Sequence, residues 1–211
     1  MNARQFLSLF LSALLLVCPG VAMATEEPAF EEQLVDREFS VRLYRSIIVA
    51  ETFVSGRLEE ASGAGFRRLA DYIFGNNRKV DASSSEKIAM TAPVTAEAVS
   101  EIISMTAPVT MEANGPRWRI HFVMPAQYSL ETLPRPINPE VGLRQVPQAR
   151  FAVVRFNGVA DSRLFEEKSA QLLAWAKERG VRPAGAPQLA RYNPPWTPAE
   201  SRRNEVLLPI E

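Results

Sequence analysis

Cysteine and histidine are almost absent: one of each, Cys18 and His121, stands among 211 residues. A disulfide framework, a thiolate metal site of the zinc-finger type and a histidine pair for a metal are therefore excluded. A charge of one sign is lacking too. Lys and Arg number 24 and Asp and Glu 24, for a formal net charge of zero. Nucleic acid and anionic lipid both select a dense positive field, and this chain has none. No glycine-rich phosphate loop follows a strand and no GxSxG is present, which removes the common nucleotide and serine-hydrolase signatures.

Long apolar runs are also missing, apart from one at the start. MNAR supplies a positive charge at Arg4, FLSLFLSALLLV follows over residues 6–17, and Ala22-Met23-Ala24 gives a small-x-small cleavage pattern. Such a run is too short for a permanent membrane span and suits a secretory signal peptide over residues 1–24, cut after Ala24. Cys18 follows Val17 rather than the small residue that lipid attachment favours, and it leaves with the leader. The expected product is an exported protein, periplasmic or secreted, with no membrane insertion after cleavage. Residues 25–211 suit a single domain with a sizeable core and no cysteine for disulfide or thiol chemistry.

What the chain does have is repetition. MTAPVT occurs at residues 90–95 and returns unchanged at 105–110. On a larger scale, SVRLYRSIIVAETFVSG is rich in β-branched and aromatic residues and predicts a strand or a bent strand pair, with residues 25–36 ahead of it a polar tail. GAGFRRLADYIFG then predicts a helix with Phe66, Leu69, Ala70 and Ile73 on one face and Arg67, Arg68 and Asp71 away from it. WRIHFVMP predicts a further strand, and the three prolines of ETLPRPINPE make residues 131–140 a connector. From Val141 the pattern restarts. A shift of about 102 residues brings Arg42 onto Arg144, Ala50 onto Ala152 and Gly56 onto Gly158. A second helix follows over SRLFEEKSAQLLAWAKERG, capped by Asp161 or Ser162, burying Phe165, Leu172, Leu173 and Ala176, and ended by Gly180. The fold class predicted is α+β: a distorted antiparallel β-barrel of two pseudo-twofold β-α-β-β-type repeats, about 33–130 and 141–211, with two helices packed on it.

KIAMTAPV, the FVMP strand and above all YNPPWTPAESRRNEVLLPI at residues 192–210 resemble the SOUL haem-binding protein family, over about residues 32–210. The resemblance implies a distorted antiparallel barrel with two helices. It also implies reversible, non-covalent binding of haem or another tetrapyrrole in an open apolar groove, for carriage or buffering, with no catalytic constellation. The groove it implies lies between the first helix and a late loop, with basic side chains near the propionates. The positions matching those basic residues here are Gly63, Asp71 and Thr197, so positive charge falls to Arg67, Arg68, Arg202 and Arg203. Candidate ligand contacts are accordingly Phe66, Arg67, Leu69, Tyr192, Trp196 and Arg202.

Each candidate also has a plain structural reading. His121 could ligate haem iron, but strand alternation places it with Arg119 and Val123, opposite Ile120, Phe122 and Met124, where a strand histidine needs no ligand role. Met90 and Met105 could ligate iron, yet methionine and proline in MTAPVT also serve core filling and strand ends, with AEAVSEI as the polar turn of an added hairpin arm. Arg202-Arg203-Asn204-Glu205 reads either as an anion site or as a buried network pinning the last strand to the YNPPW loop. Tyr192 and Trp196 either stack on a flat ligand or plug the barrel end. Glu51, Glu59 and Glu60 have no partner that spacing identifies, which leaves a small-molecule hydrolase the weaker reading. The main rival to a monomeric tetrapyrrole carrier is a protein or peptide interaction module of the envelope using the same groove.

Overall fold

The structure is a computed structural model, and it describes residues 25–81, 83–99 and 117–211. The expected signal peptide, residues 1–24, and the second MTAPVT copy with Met105 lie outside the described residues. In chain order the elements are β1 (Phe30–Asp36), β2 (Phe39–Tyr44), β3 (Ile47–Ser55), α1 (Leu58–Ile73), β4 (Asn77–Arg78), β5 (Val94–Val99) and β6 (Arg117–Val123). After these come β7 (Arg135–Pro136), β8 (Gly142–Val146), β9 (Ala149–Asn157), α2 (Ser162–Glu178), β10 (Gln188–Arg191) and β11 (Arg203–Ile210).

Nine strands form one curled antiparallel sheet in the order β1-β2-β9-β11-β10-β5-β6-β3-β8, and β4 and β7 pair separately. If β2 is matched to β8, β3 to β9, β5 to β10 and β6 to β11, the order from β2 to β8 is the same from either edge. The first strand of each half crosses over: β2 pairs with β9 and β8 pairs with β3. Each half therefore begins with two strands before its helix, where the sequence predicted one or a bent pair. Gly56 and Gly158 end the long strands at φ +115° and +119°, the left-handed region that glycine enters without a Cβ penalty.

Two assignments change. Residues 30–36, expected in a polar tail, form the edge strand β1; an edge strand is held by its backbone pairing to β2 and tolerates exposed polar side chains. The stretch expected as a polar turn, AEAVSEI, instead continues β5 as far as Val99, and Ala96 is buried between Leu189 and Ile120 across the sheet.

Both helices lie on one face of the sheet. α1 starts five residues before the predicted GAGF because Arg57, in extended conformation, occupies the N-cap without a side-chain cap, and Glu59 and Glu60 complement the helix dipole in the first turn. It buries Leu58, Ala61, Gly65, Leu69, Tyr72 and Ile73, spaced at three and four residues. α2 is capped by Asp161, whose carboxylate accepts from Leu164 N–H at 2.8 Å, and Gly180 follows at φ +67°. Its buried face is Phe165, Ser169, Leu172, Trp175 and Ala176; Leu173, predicted inward, is 40 % exposed. Trp175 takes that place by stacking on Phe39, ring centroids 5.3 Å apart. Against these helices stand Val41, Ala50, Ala152, Val154, Val206, Leu208, Leu189, Ala96, Ile120 and Phe122, in one continuous core. The opposite, helix-free face carries a smaller cluster of Tyr44, Val153, Ala190 and Leu207.

Candidate functional site

On the helix side, α1 presents its flank to solvent. Phe66 is half-buried with its ring 5.4 Å from that of Phe122, and Arg67 is exposed one residue on. Leu69 is 0 % exposed and packs in the core, so its role here is to seat the helix. Arg68 is engaged: it donates to Thr52 Oγ1 at 2.8 Å and to the Phe53 carbonyl, and pairs with Glu140 at 3.1 Å.

A side chain that sequence reasoning passed over joins this flank to the YNPPW loop. Arg191, at the end of β10, donates to Ser62 Oγ on α1 at 2.9 Å and to the Ala160 carbonyl at 2.7 Å. Ser62 and Phe66 are one helical turn apart on the same flank. Val94, which pairs with Arg191, also pairs with Phe122, on which Phe66 packs. Immediately after Arg191 the chain turns into the loop where Trp196 stands 82 % exposed. Arg202 braces that loop, donating Nε–H to the Thr197 carbonyl at 2.7 Å and Nη2–H to the Pro195 carbonyl. Asn193 Oδ1 accepts from Arg203 N–H, and Asn204 donates to the Gly158 carbonyl. Residues 202–205 thus pin the last strand to the loop, the structural one of their two readings.

Charge on this flank is uneven. Among the described residues no carboxylate lies within 4 Å of Arg67, Arg191 or Arg202, whereas Arg42, Arg68, Arg119, Arg144 and Arg203 each have one. Glu59, whose field reaches Arg191, is taken by the hydroxyl and N–H of Ser162 at 2.6 and 2.8 Å. Those two bonds, the hydroxyl first, hold its carboxyl down to about 2.

Tyr192 belongs to the other face. Its hydroxyl donates to Glu205 Oε2 at 2.7 Å, and the Arg203 guanidinium lies 3.7 Å from its ring centroid. Glu205 has no exposed surface. It is gripped by Arg42 at 2.9 Å and Arg203 at 3.3 Å, with Tyr44 hydrogen-bonded to Arg42. Burial, then the Glu205 charge, pushes both phenols above their usual range. His121 shares this face, as strand alternation predicted, between Glu51 on β3 and Thr95 on β5. Its Nδ1 is buried without a hydrogen-bond partner, and burial, followed by Arg144 and Arg119, lowers its pKa to about 3. The sheet separates His121 and Tyr192 from the α1 flank, so neither reaches a ligand held there.

The remaining candidates are placed as follows. Met90, expected in core or edge packing, is 36 % exposed and so not in the core, where its segment instead places Ile88, Thr91 and Ala92. Glu51 is committed to Arg144 at 2.9 Å, and Glu60 to Arg57 at 2.6 Å. Elsewhere, a cavity of about 690 Å3 opens by the turn between β2 and β3, lined by Ile47, Ile48, Met124, Tyr128, Leu130 and Arg45. None of the six sequence-chosen contacts lines it.

Comparison with known proteins bears on what this geometry serves. The family model described as SOUL heme-binding protein matches residues 25–209. No curated protein sequence matches the chain. Among solved structures, the C-terminal domain of EcmrR is similar in fold: TM-score 0.59 at 10 % identity, over 82 % of this chain and 96 % of that one. A hydrolase from Listeria innocua gives TM-score 0.53 at 11 % identity, over 85 % and 94 % of the two chains. At such identity the likeness extends to the fold alone.

Proposed function

The chain belongs to the SOUL heme-binding protein family, and from that premise we propose that it binds haem or a related tetrapyrrole, non-covalently, along the α1 flank and the loop after β10. The observation that carries the placement is a surface where aromatic side chains stand beside arginines without acids. Phe66 and Trp196 offer ring faces and edges to a flat apolar macrocycle. Arg67 offers an uncommitted cation to a propionate. Haem is an apolar plane with two carboxylates, and these residues fit both parts of it. His121 is not a ligand in this arrangement, because the sheet lies between. The leader further suggests an exported protein that carries or buffers tetrapyrrole in the envelope. Intact-mass analysis of protein made with its native leader tests that part: a mature chain beginning at Thr25 supports it, and an uncut N-terminus refutes it.

Binding is tested by titrating hemin into the folded protein. A saturable Soret shift at one equivalent is expected. Uptake that albumin strips without saturation would favour a peptide-binding module on the same groove. Arg67→Glu should weaken hemin about tenfold or more, since a charge-assisted hydrogen bond contributes roughly 1.5–3 kcal/mol. Leu130→Arg, in the cavity by the β2–β3 turn, should leave affinity unchanged. The reverse pair of results would move the ligand to that cavity.

A further inference from the structure

The arginine at the foot of the groove has a configuration that a purely structural role does not require. Arg191 is half-buried, and burial pulls its pKa below the usual arginine range. The structure gives it a hydroxyl and a carbonyl as partners, at 2.9 and 2.7 Å, and no carboxylate within 4 Å among the described residues. A guanidinium in such a place is under-compensated: hydrogen bonds to neutral oxygens replace part of its hydration, and the field of Glu59 offsets the burial only in part. Arg42, more deeply buried at 7 % exposure, has Glu205 at 2.9 Å to answer it. The carboxylate nearest in effect, Glu59, commits its Oε1 to the N–H and hydroxyl of Ser162 at the first turn of α2. Position reinforces chemistry. Ser62, the hydroxyl partner, is one turn from Phe66, and Arg191 directly precedes the loop that carries Trp196. A planar ligand lying against Phe66 and Trp196 would bring its edge over this guanidinium. The planar fork of arginine suits a carboxylate better than a lone carbonyl.

We propose that Arg191 is the residue that recognises a carboxylate of the bound macrocycle, so that this protein selects tetrapyrroles with free propionates over esterified or side-chain-neutral ones. The inference rests on tetrapyrrole binding at the α1 flank and deepens it. Arg67 reaches back along α1, its Nη1 lying 3.5 Å from where a Cβ of Gly63 would be, so it and the Arg191 bonded to Ser62 are two cations on the turn before Phe66, which matches a ligand with two carboxylates. Arg202 serves a different purpose, since its fork is spent on the carbonyls of Pro195 and Thr197.

The test compares hemin with its dimethyl ester in the wild type and in Arg191→Met, with circular dichroism to confirm folding. The wild type should bind hemin at least tenfold more tightly than the ester. Arg191→Met should lose about tenfold for hemin and stay within about twofold for the ester, so the preference collapses. The ratio is the readout, because loosening of the α1 contact would lower both affinities alike. An unchanged ratio in Arg191→Met, or an equal loss for both ligands, would make Arg191 a structural brace and overturn the proposal. Should the methionine variant fail to fold, Arg191→Gln, which retains hydrogen bonding without charge, is read by the same ratio. A wild type that binds neither ligand saturably would overturn the tetrapyrrole reading itself, a result distinct from a preserved ratio.

Discussion

Replacing Gly65 with alanine should destabilise the protein, although the same change in an exposed helix would stabilise it. In a helix interior glycine is about 1 kcal/mol worse than alanine, so propensity alone favours the substitution. Packing opposes it. A Cβ at position 65 would sit 2.6 Å from Ile120 Cγ1, 2.7 Å from its Cβ and 3.0 Å from its Cγ2. These are not the far ends of a flexible chain: Ile120 has no exposed surface and is branched at the atom approached. Either the isoleucine leaves its rotamer or α1 lifts from β6. Overpacking of this kind costs roughly 1–3 kcal/mol, and contacts this short belong toward the upper end, so after the propensity gain of about 1 kcal/mol a net loss of up to about 2 kcal/mol is expected. Urea denaturation monitored by tryptophan fluorescence and circular dichroism measures it. Ile120→Ala removes Cγ1 and Cγ2 while keeping the Cβ at 2.7 Å, so it relieves the collision in part, and the double variant should be more stable than the sum of the single losses predicts, with a coupling of about 1 kcal/mol. A Gly65→Ala protein more stable than wild type, or additive single losses, would refute the close-approach argument. The site is implicated as well, because a lifted helix displaces Ser62 and Phe66 together.

The other predictions address the helix-free face. His121 has a folded-state pKa near 3 against an ordinary 6.5, so the folded protein keeps it neutral while the unfolded chain takes up a proton below about pH 6.5. Its neutral form imposes no penalty above that value, and stability falls as the pH drops below it, by about 2 kcal/mol at pH 5. As the chain has one histidine, the difference between wild type and His121→Gln over pH 7.5 to 5.0 isolates this effect, and parallel stability curves would contradict it. Glu205→Gln should cost about 3 kcal/mol or more, because Arg42 is left buried with only the distant Glu32, at 3.6 Å, to balance it. Adding Arg42→Met should restore part of that loss in the same denaturation assay, and a single-variant loss under about 1 kcal/mol would show the network to be dispensable. Hemin affinity should be unaffected by Glu205→Gln in protein that remains folded, since the sheet stands between Glu205 and the α1 flank.

How much of this was legible in the sequence varied with the range of the physics involved. The two helices, the long strands and the shift of 102 residues follow from local periodicity, and β3 and β9 begin and end at that shift, 47–55 against 149–157. Alternation along WRIHFVMP placed His121 on the correct side of β6, because a strand's parity survives whatever the strand packs against. Helix faces were less secure. Leu173 satisfies the same spacing as Leu172, and only the arrival of Phe39 beneath Trp175 decides which flank is buried. The start of α1 gave no cap residue to read, since Arg57 is there. The polar strand β1 carries no apolar alternation, since its partner supplies backbone hydrogen bonds rather than a core.

The site itself divides along the sheet, and that division explains which candidates stand on the α1 flank. Tyr192 and Trp196 are four residues apart in one loop and share an aromatic character, so sequence treats them alike. Ala190 and Tyr192 continue the parity of β10 into the helix-free cluster, whereas Trp196 lies past the turn and escapes it. Leu69 and Phe66 are likewise neighbours on α1, but a helix of this girth can bury only about half its circumference against a sheet. Leu69 faces β6 and Phe66 looks along the edge. Arg191 is the inverse case. Nothing in QLAR distinguishes it from the nineteen other arginines, because what sets it apart is an absence: the carboxylate that would pair with it is occupied elsewhere. Glu59 could have paired with it, but the fold turns that side chain to Ser162, 103 residues away, to cap the first turn of α2. Securing one helix against the start of the other leaves Arg191, among the described residues, bonded to neutral oxygens with no carboxylate within 4 Å, and an anionic ligand is what would complete it.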